Sequence, residues 1–226
     1  RLIEQHRRPV VELLVVVLQP QHYRMLRIDL QDRLHRGSLL TGGLEQPREI
    51  AAHVEGRETI VLADALLRDL GLVDTPSGLL AVVAIPAATV AVDREKDAIL
   101  LDGVQDPGNV GAILRTAAAA GVGQALLSPG CAAAWSPKVL RAGQGAHFAL
   151  AIHEDADLAA FMADYRGTTA VTCLDDATPL YDACWDGPLA WIFGSEGQGV
   201  RPELLAAARL RVHIPMPGPV ESLNVG

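Results

Sequence analysis

From Asp97 to Gly226 the chain alternates short apolar runs with longer segments of helical pattern, a rhythm that few folds accommodate. Ala98–Leu101, Gln124–Leu127, Phe148–Ile152, Thr169–Leu174, Leu189–Phe193 and Leu210–Ile214 read as strands. Val110–Ala120, Pro137–Ala142, Asp155–Tyr165 and Arg201–Ala208 lie between them and read as helices. Strands that alternate with helices form a parallel sheet covered on both faces, so the fold class is α/β. No internal repeat, heptad pattern or low-complexity tract interrupts the series, and Ala117–Ala120 is ordinary helix.

The front of the chain has a different texture. Short apolar runs (Val10–Leu18, Ile60–Ala63, Leu79–Ile85) mix with helical patterns at Pro47–Val54 and Asp64–Leu70. Gly42-Gly43 and Thr75-Pro76-Ser77-Gly78 punctuate them as turns. Residues 1–85 are expected to form a small α/β domain. Residues 86–96 start with proline, pass through small residues and end in charges, as a linker does. The domain of interest then occupies residues 97–226.

With 226 residues, half of them hydrophobic (50%), the chain can bury a substantial core in one or two domains. Its most apolar stretch, Val10–Leu18, is short and carries Glu12, so no membrane span is expected. No basic segment followed by an apolar core and a cleavage site opens the chain at Arg1, so no export signal is expected. Cys131, Cys173 and Cys184 lie far apart without a Cys-x-x-Cys pair, which argues against disulfides and thiolate zinc and fits a reducing cytoplasm. The seven histidines show no metal-binding spacing, so no metal is expected. Trp135, Trp185 and Trp191 are scattered and read as core or rim packing.

A net charge of −8 is unfavourable for contact with nucleic acid, but the charge is unevenly spread. Residues 1–36 hold seven arginines against four acids, while residues 93–226 hold nine Lys or Arg against sixteen acids. The front could therefore touch phosphates, or simply present a solvated helix face rich in arginine.

Three loops follow strand-like runs, and in an open parallel sheet ligands bind beyond the carboxyl ends of the strands. The first, Asp102 to Arg115, contains Pro107 and Gly108, where the backbone turns sharply. Asn109 then stands at the start of the helix Val110–Ala120, where its amide can cap the first turn. Arg115 follows six residues later. A capping Asn and a surface Arg would account for both without any function. The second loop, Gly194-Ser195-Glu196-Gly197-Gln198-Gly199, has the wrong glycine spacing for a dinucleotide fingerprint and lacks the Lys of a P-loop. Its carboxylate would repel phosphate and suits a cationic ligand or an arginine partner. The third, after Ile214-Pro215-Met216, is Glu221-Ser222-Leu223-Asn224-Val225, where small hydroxyl and amide groups can orient a ligand. Ser222 could equally cap a helix. No Gly-x-Ser-x-Gly elbow of a serine hydrolase is present.

Together these segments resemble the SpoU-type (TrmH-like) branch of the SPOUT methyltransferases, which methylate ribose 2′-hydroxyls of tRNA or rRNA. Asn-x-Gly-x-x-x-Arg is present as Asn109, Gly111 and Arg115. Gly-x-Glu-x-x-Gly is present as Gly194, Glu196 and Gly199. Ile-Pro-Met and Glu-Ser-Leu-Asn-Val are present as Ile214–Met216 and Glu221–Val225. They fall in family order across residues 97–226. Residues 1–85 echo, more loosely, the small RNA-binding domain that many members carry in front, best at Thr75–Gly78. Gly143-Gln144 departs from the family within the turn from Arg141 to Phe148.

The resemblance implies a trefoil-knotted catalytic domain, an exception to the rule that chains do not thread their own loops. It implies S-adenosylmethionine bent within the knot, contacted by Gly194, Ile214 and Leu223, with Met216 and Ser222 nearby. Arg115 resembles the family's essential arginine, and because a guanidinium stays protonated a clamping role is favoured over that of a base. Asn109 would support that arginine, Glu196 would pair with it, and Ser222 and Asn224 would order the site. A homodimer would complete the site, and a further helix beyond Gly226 would finish the knot and the interface. The remaining alternatives are a non-catalytic RNA-binding relative of the same fold and an unrelated nucleotide-binding enzyme.

Overall fold

The computed structural model of the protein describes residues 90–173, 176–218 and 224–226. The expected small domain at 1–85, together with Ser222 and Leu223, lies outside the described residues.

The apolar runs do form strands: β1 (Ala98–Asp102), β2 (Gln124–Leu127), β3 (Ala151–His153), β4 (Thr168–Thr172), β5 (Thr178–Pro179), β6 (Leu189–Gly194) and β7 (Leu210–His213). The helices are α1 (Pro107–Ala119), α2 (Pro137–Gly143), α3 (Leu158–Asp164) and α4 (Pro202–Ala207). Strand order is β3-β2-β1-β6-β4-β7-β5, and every ladder is parallel. Along β1, successive side chains alternate between two cores because strand periodicity is two. Ile99 and Leu101 join the core shared with α1 and α2; Ala98 and Leu100 join the core shared with α3 and α4. Trp135 and Trp191 pack on the first core, and Trp185 stands edge-on to Trp191 at 6.1 Å.

Two expectations need correction, and one strand was not expected. The run Phe148–Ile152 becomes strand only from Ala151, because a 3₁₀ turn at Ala146–Phe148 follows Gly145 at φ +89°. The helix expected from Asp155 begins at Leu158, since Asp155 has φ +53° and the Asp157 carboxylate accepts from Ala160 N at 3.0 Å. β5 had no sequence signal; Thr178 and Pro179 pair with Val212 and His213 on β7.

The sheet changes direction between β1 and β6. From β1 the chain runs through α1 to the neighbouring β2; from β6 it runs through α4 to β7, beyond β4 on the other side. Loops leaving the carboxyl ends of such a strand pair diverge and open a crevice. On one face of the sheet, α1 and α2 lie in close contact. A Cβ built on Gly111 would stand 2.4 Å from Ala142 Cβ and 2.7 Å from the Val139 carbonyl oxygen. Gly111→Ala should therefore wedge the helices apart at a cost of about 1–3 kcal/mol, typical of overpacking. Chemical denaturation followed by tryptophan fluorescence checks this, and a variant as stable as the parent would refute the close approach.

Candidate functional site

The first loop begins where β1 ends, and Asp106, rather than Asn109, caps α1. Asp106 Oδ1 accepts a hydrogen bond from Asn109 N at 2.8 Å, and Pro107 and Gly108 already belong to the first turn. Proline suits this position because the first helical N–H groups have no partner to lose. The correction has a chemical consequence: with the cap supplied upstream, the Asn109 side chain is free for other work. Its Nδ2 donates to Glu196 Oε1 at 2.7 Å, across 87 residues of sequence. A carboxylate can only accept, so the partner fixes which end of the amide is nitrogen. Asn109 Oδ1 is left without a donor among the described residues.

Glu196 sits on the loop after β6, which folds back sharply. Ser195 and Gly199 pair main chain to main chain, at 3.1 and 2.9 Å, and Gln198 N donates to Ser195 Oγ at 3.1 Å. A Cβ on Gly194 would stand 2.1 Å from the carbonyl carbon of Gly199 and 2.2 Å from Val200 N, so only glycine permits the fold-back. The Asn109 amide holds the Glu196 carboxyl below its usual range, and the N–H groups of Gln105 and Asp106 act the same way.

Sequence reasoning missed the anchor of this loop. Asp102, the last residue of β1, is 3% exposed. Its Oδ2 accepts from Arg201 N at 2.8 Å, and its Oδ1 accepts from Arg201 Nε at 2.7 Å and Ser128 Oγ at 3.3 Å. Ser128 Oγ in turn accepts from Gly103 N at 3.0 Å. One carboxylate thus joins the ends of β1 and β2 to the end of the β6 loop. The available signal was a lone acid closing an otherwise apolar strand.

The β4, β6 and β7 ends and the C-terminal residues enclose a cavity of about 600 Å³. Gly194, Glu196, Ile214, Met216 and Asn224 line it, so five of the expected site residues come together, and Phe193, Thr172 and His213 add walls that the sequence did not single out. No Lys or Arg is among its described lining residues. Residues 224–226 lie against the start of α1: a Cβ on Gly226 would be 3.1 Å from Asn109 Cα. Arg115 departs from expectation. It makes no ion pair with Glu196, whose partner is Asn109, and is exposed toward a second cleft of about 500 Å³.

Residues 97–226 match the SpoU rRNA Methylase family. The chain belongs to that family. This SpoU-family chain is 35% identical over 155 residues to RlmP, a 23S rRNA guanosine-2′-O-methyltransferase of Bacillus subtilis, covering 67% of this chain and 61% of RlmP. It is 31% identical over 216 residues to the mitochondrial rRNA methyltransferase 3 of Mus musculus, covering 70% of this chain and 52% of the mouse protein. It therefore spans between half and two thirds of the length of these relatives. A TrmH-family structure from Porphyromonas gingivalis superposes with a TM-score of 0.68 at 35% identity, covering 78% of this chain and 74% of the other. The AviRb methyltransferase of Streptomyces viridochromogenes, solved with AdoMet, gives 0.67 at 27% identity, covering 79% and 71%.

Asp102→Ala removes every acceptor from the anchor and should cost on the order of 2 kcal/mol, while Asp102→Asn, which keeps one carbonyl oxygen, should cost less. Chemical denaturation reads the loss, and limited proteolysis should cut faster between Ser195 and Arg201. Unchanged proteolysis in the alanine variant would show that the loop is held by other means.

Proposed function

We propose that the chain transfers a methyl group from S-adenosylmethionine to a ribose 2′-hydroxyl of ribosomal or transfer RNA. The observation that carries this reading is the cavity where the ends of β4, β6 and β7 meet the chain end, with Glu196 of its lining tied to Asn109 at the start of α1. Its volume of about 600 Å³ lies in the range of small-molecule sites. Its lining fits the donor's chemistry: apolar side chains and glycine main chain for the adenine, and one ionised carboxylate with no opposing cation for a sulfonium.

Gly194, Ile214 and Met216 would hold the donor, with Leu223 and Ser222 completing the pocket. When bound, S-adenosylmethionine supplies an electrophilic methyl group. The residues of the chain then supply positioning, which contributes much of the rate when attacking and leaving atoms must align. Asn109 Oδ1, the free acceptor, takes a hydrogen bond from the attacking 2′-hydroxyl, whose proton leaves to solvent water as the oxygen is methylated, and Glu196 holds the amide in that orientation. Glu196 stays ionised and is a weak base, so it acts through its charge. The Arg115 guanidinium clamps the phosphate next to the target ribose and stabilises charge. Asn224 and Ser222 order the chain end over the cavity.

The catalytic domain is trefoil-knotted, a reading supported by the return of residues 224–226 to the start of α1. A homodimer completes the site, residues 1–85 contact RNA ahead of the 86–96 linker, and the protein works in the cytoplasm.

Isothermal calorimetry should detect S-adenosylmethionine but neither NAD nor ATP; the reverse would end the reading. Tritiated methyl transfer to rRNA and tRNA from a deletion strain should give an alkali-resistant linkage. Gly194→Ala should abolish donor binding. Arg115→Ala should leave donor affinity within about twofold and lower transfer roughly a hundredfold, the scale of losing one preorganised charge-stabilising group.

The pH dependence follows from Glu196. A carboxylate whose pKa is depressed on folding contributes above its ordinary value and loses that contribution as pH falls through the folded value. Donor affinity should thus hold level until the pH drops below the ordinary carboxylate value of about 4.3. In Asn109→Ala the decline should begin at higher pH.

A further inference from the structure

The second cleft, beside the contact between α1 and α2, gathers Arg115 from α1 and Lys138 and Arg141 from α2. All three side chains are exposed, and none makes a hydrogen bond or ion pair among the described residues. The arrangement is unusual for this chain, whose residues 93–226 hold sixteen acids against nine Lys or Arg. The other cations of residues 93–226 are engaged: Arg209 and Arg211 donate to main-chain carbonyls, and Arg94, Lys96, Arg166 and Arg201 meet acids. In a larger cavity of about 870 Å³, beside the amino ends of β1 and β4, Arg166 meets Glu95 at 2.7 Å and Arg94 meets Asp164 at 3.8 Å. Arg201 is held by Asp102 at 2.7 Å and Glu203 at 3.3 Å.

The backbone itself brings the three cations together. Gly111 lets α1 touch α2, and Arg115 lies one turn further along the Gly111 face of α1. Lys138 and Arg141 share a face of α2 for the same reason, spaced three apart, flanking the Val139 and Ala142 contacts. Like charges so placed repel, and the one acid in the cleft, Asp106, already caps α1. An anion relieves that repulsion. One short segment links the cleft to the donor cavity. Asp106, Pro107 and Gly108 face the cleft, while Asn109 reaches Glu196 on the cavity rim. Every ribose 2′-hydroxyl in RNA lies between two backbone phosphates, so a sugar over Asn109 would lay its flanking phosphates toward these cations.

We infer that the cleft beside the α1–α2 contact is a subsite for RNA backbone phosphates, in which Lys138 and Arg141 grip the strand beside the ribose oriented by Asn109 and Arg115. This rests on the methyltransferase reading and adds residues to it. Lys138 and Arg141 are positioning residues that set RNA affinity, and they leave donor binding and the chemical step alone.

The full chain carrying Lys138→Ala, Arg141→Ala or both should be titrated into a fluorescein-labelled single-stranded oligoribonucleotide of mixed sequence at several KCl concentrations. The slope of log Kd against log salt should fall by about 0.7 for each cation removed from a single-strand contact. With in vitro transcribed 23S rRNA or tRNA, whichever the parent methylates, KM for RNA should rise about tenfold in the double variant. In that assay kcat and S-adenosylmethionine affinity should stay within about twofold, and Lys138→Arg should behave as the parent. An unchanged salt slope, or a fall in kcat at constant KM, overturns the subsite. Complete displacement of the oligonucleotide by inorganic phosphate at equal ionic strength also overturns it, since the cleft would then hold a small anion. A parent that binds no S-adenosylmethionine sinks the methyltransferase reading instead, and the salt slopes still decide whether the cleft takes RNA.

Discussion

The Asp102 carboxylate is removed from water at the end of the central strand β1, and the loop after β6 closes over it. A buried carboxylate left without donors is strongly unfavourable. Arg201 N and Nε and Ser128 Oγ meet that need, and in doing so fix where the β6 loop begins its return toward α4. Once that loop is fixed at its far end and cinched at Ser195 and Gly199, Glu196 has little choice but to reach across to α1. The cavity, the orientation of Asn109 and the depressed pKa of Glu196 are downstream of this one desolvated charge.

Much of the fold was legible because burial on both faces leaves a plain trace. β1, β2, β6 and β7 start at the expected residues, and their ends differ by no more than one. The sequence was less informative where backbone geometry, rather than side-chain polarity, ends an element. Ala146–Phe148 is apolar enough for strand, yet Gly145 in a left-handed conformation turns it into a 3₁₀ segment. Thr178–Pro179 is too short to carry any periodicity. At the site, residue types were readable but pairings were not. Glu196 asked for a cation or donor, and chemistry alone could not tell Arg115 from Asn109. The choice was made by Asp106, which took the capping position and released the amide.

Charge is divided over a short distance along the first loop. The cavity side carries a carboxylate and no described cation, while the cleft side carries three cations and one occupied acid. A domain can thus be acidic as a whole and still present a cationic strip, because electrostatic recognition depends on local, unscreened groups within about a Debye length, roughly 8–10 Å. The net charge of −8 therefore says little about either side of the site.

The strand order β3-β2-β1-β6-β4-β7-β5 carries a consequence for how the protein is made. β6 leaves the ribosome after β1 through β5, yet its place is the middle of the sheet, between β1 and β4. Until it arrives, the β3-β2-β1 half-sheet waits with a bare inner edge and β4 and β5 have no sheet partner, because β7 follows later still, and such non-local parallel pairing is slow and prone to aggregation. The join between β1 and β4 is thereby deferred to the same segment that brings Gly194 and Glu196, so a chain stalled before Leu189 has neither a continuous sheet nor a binding cavity.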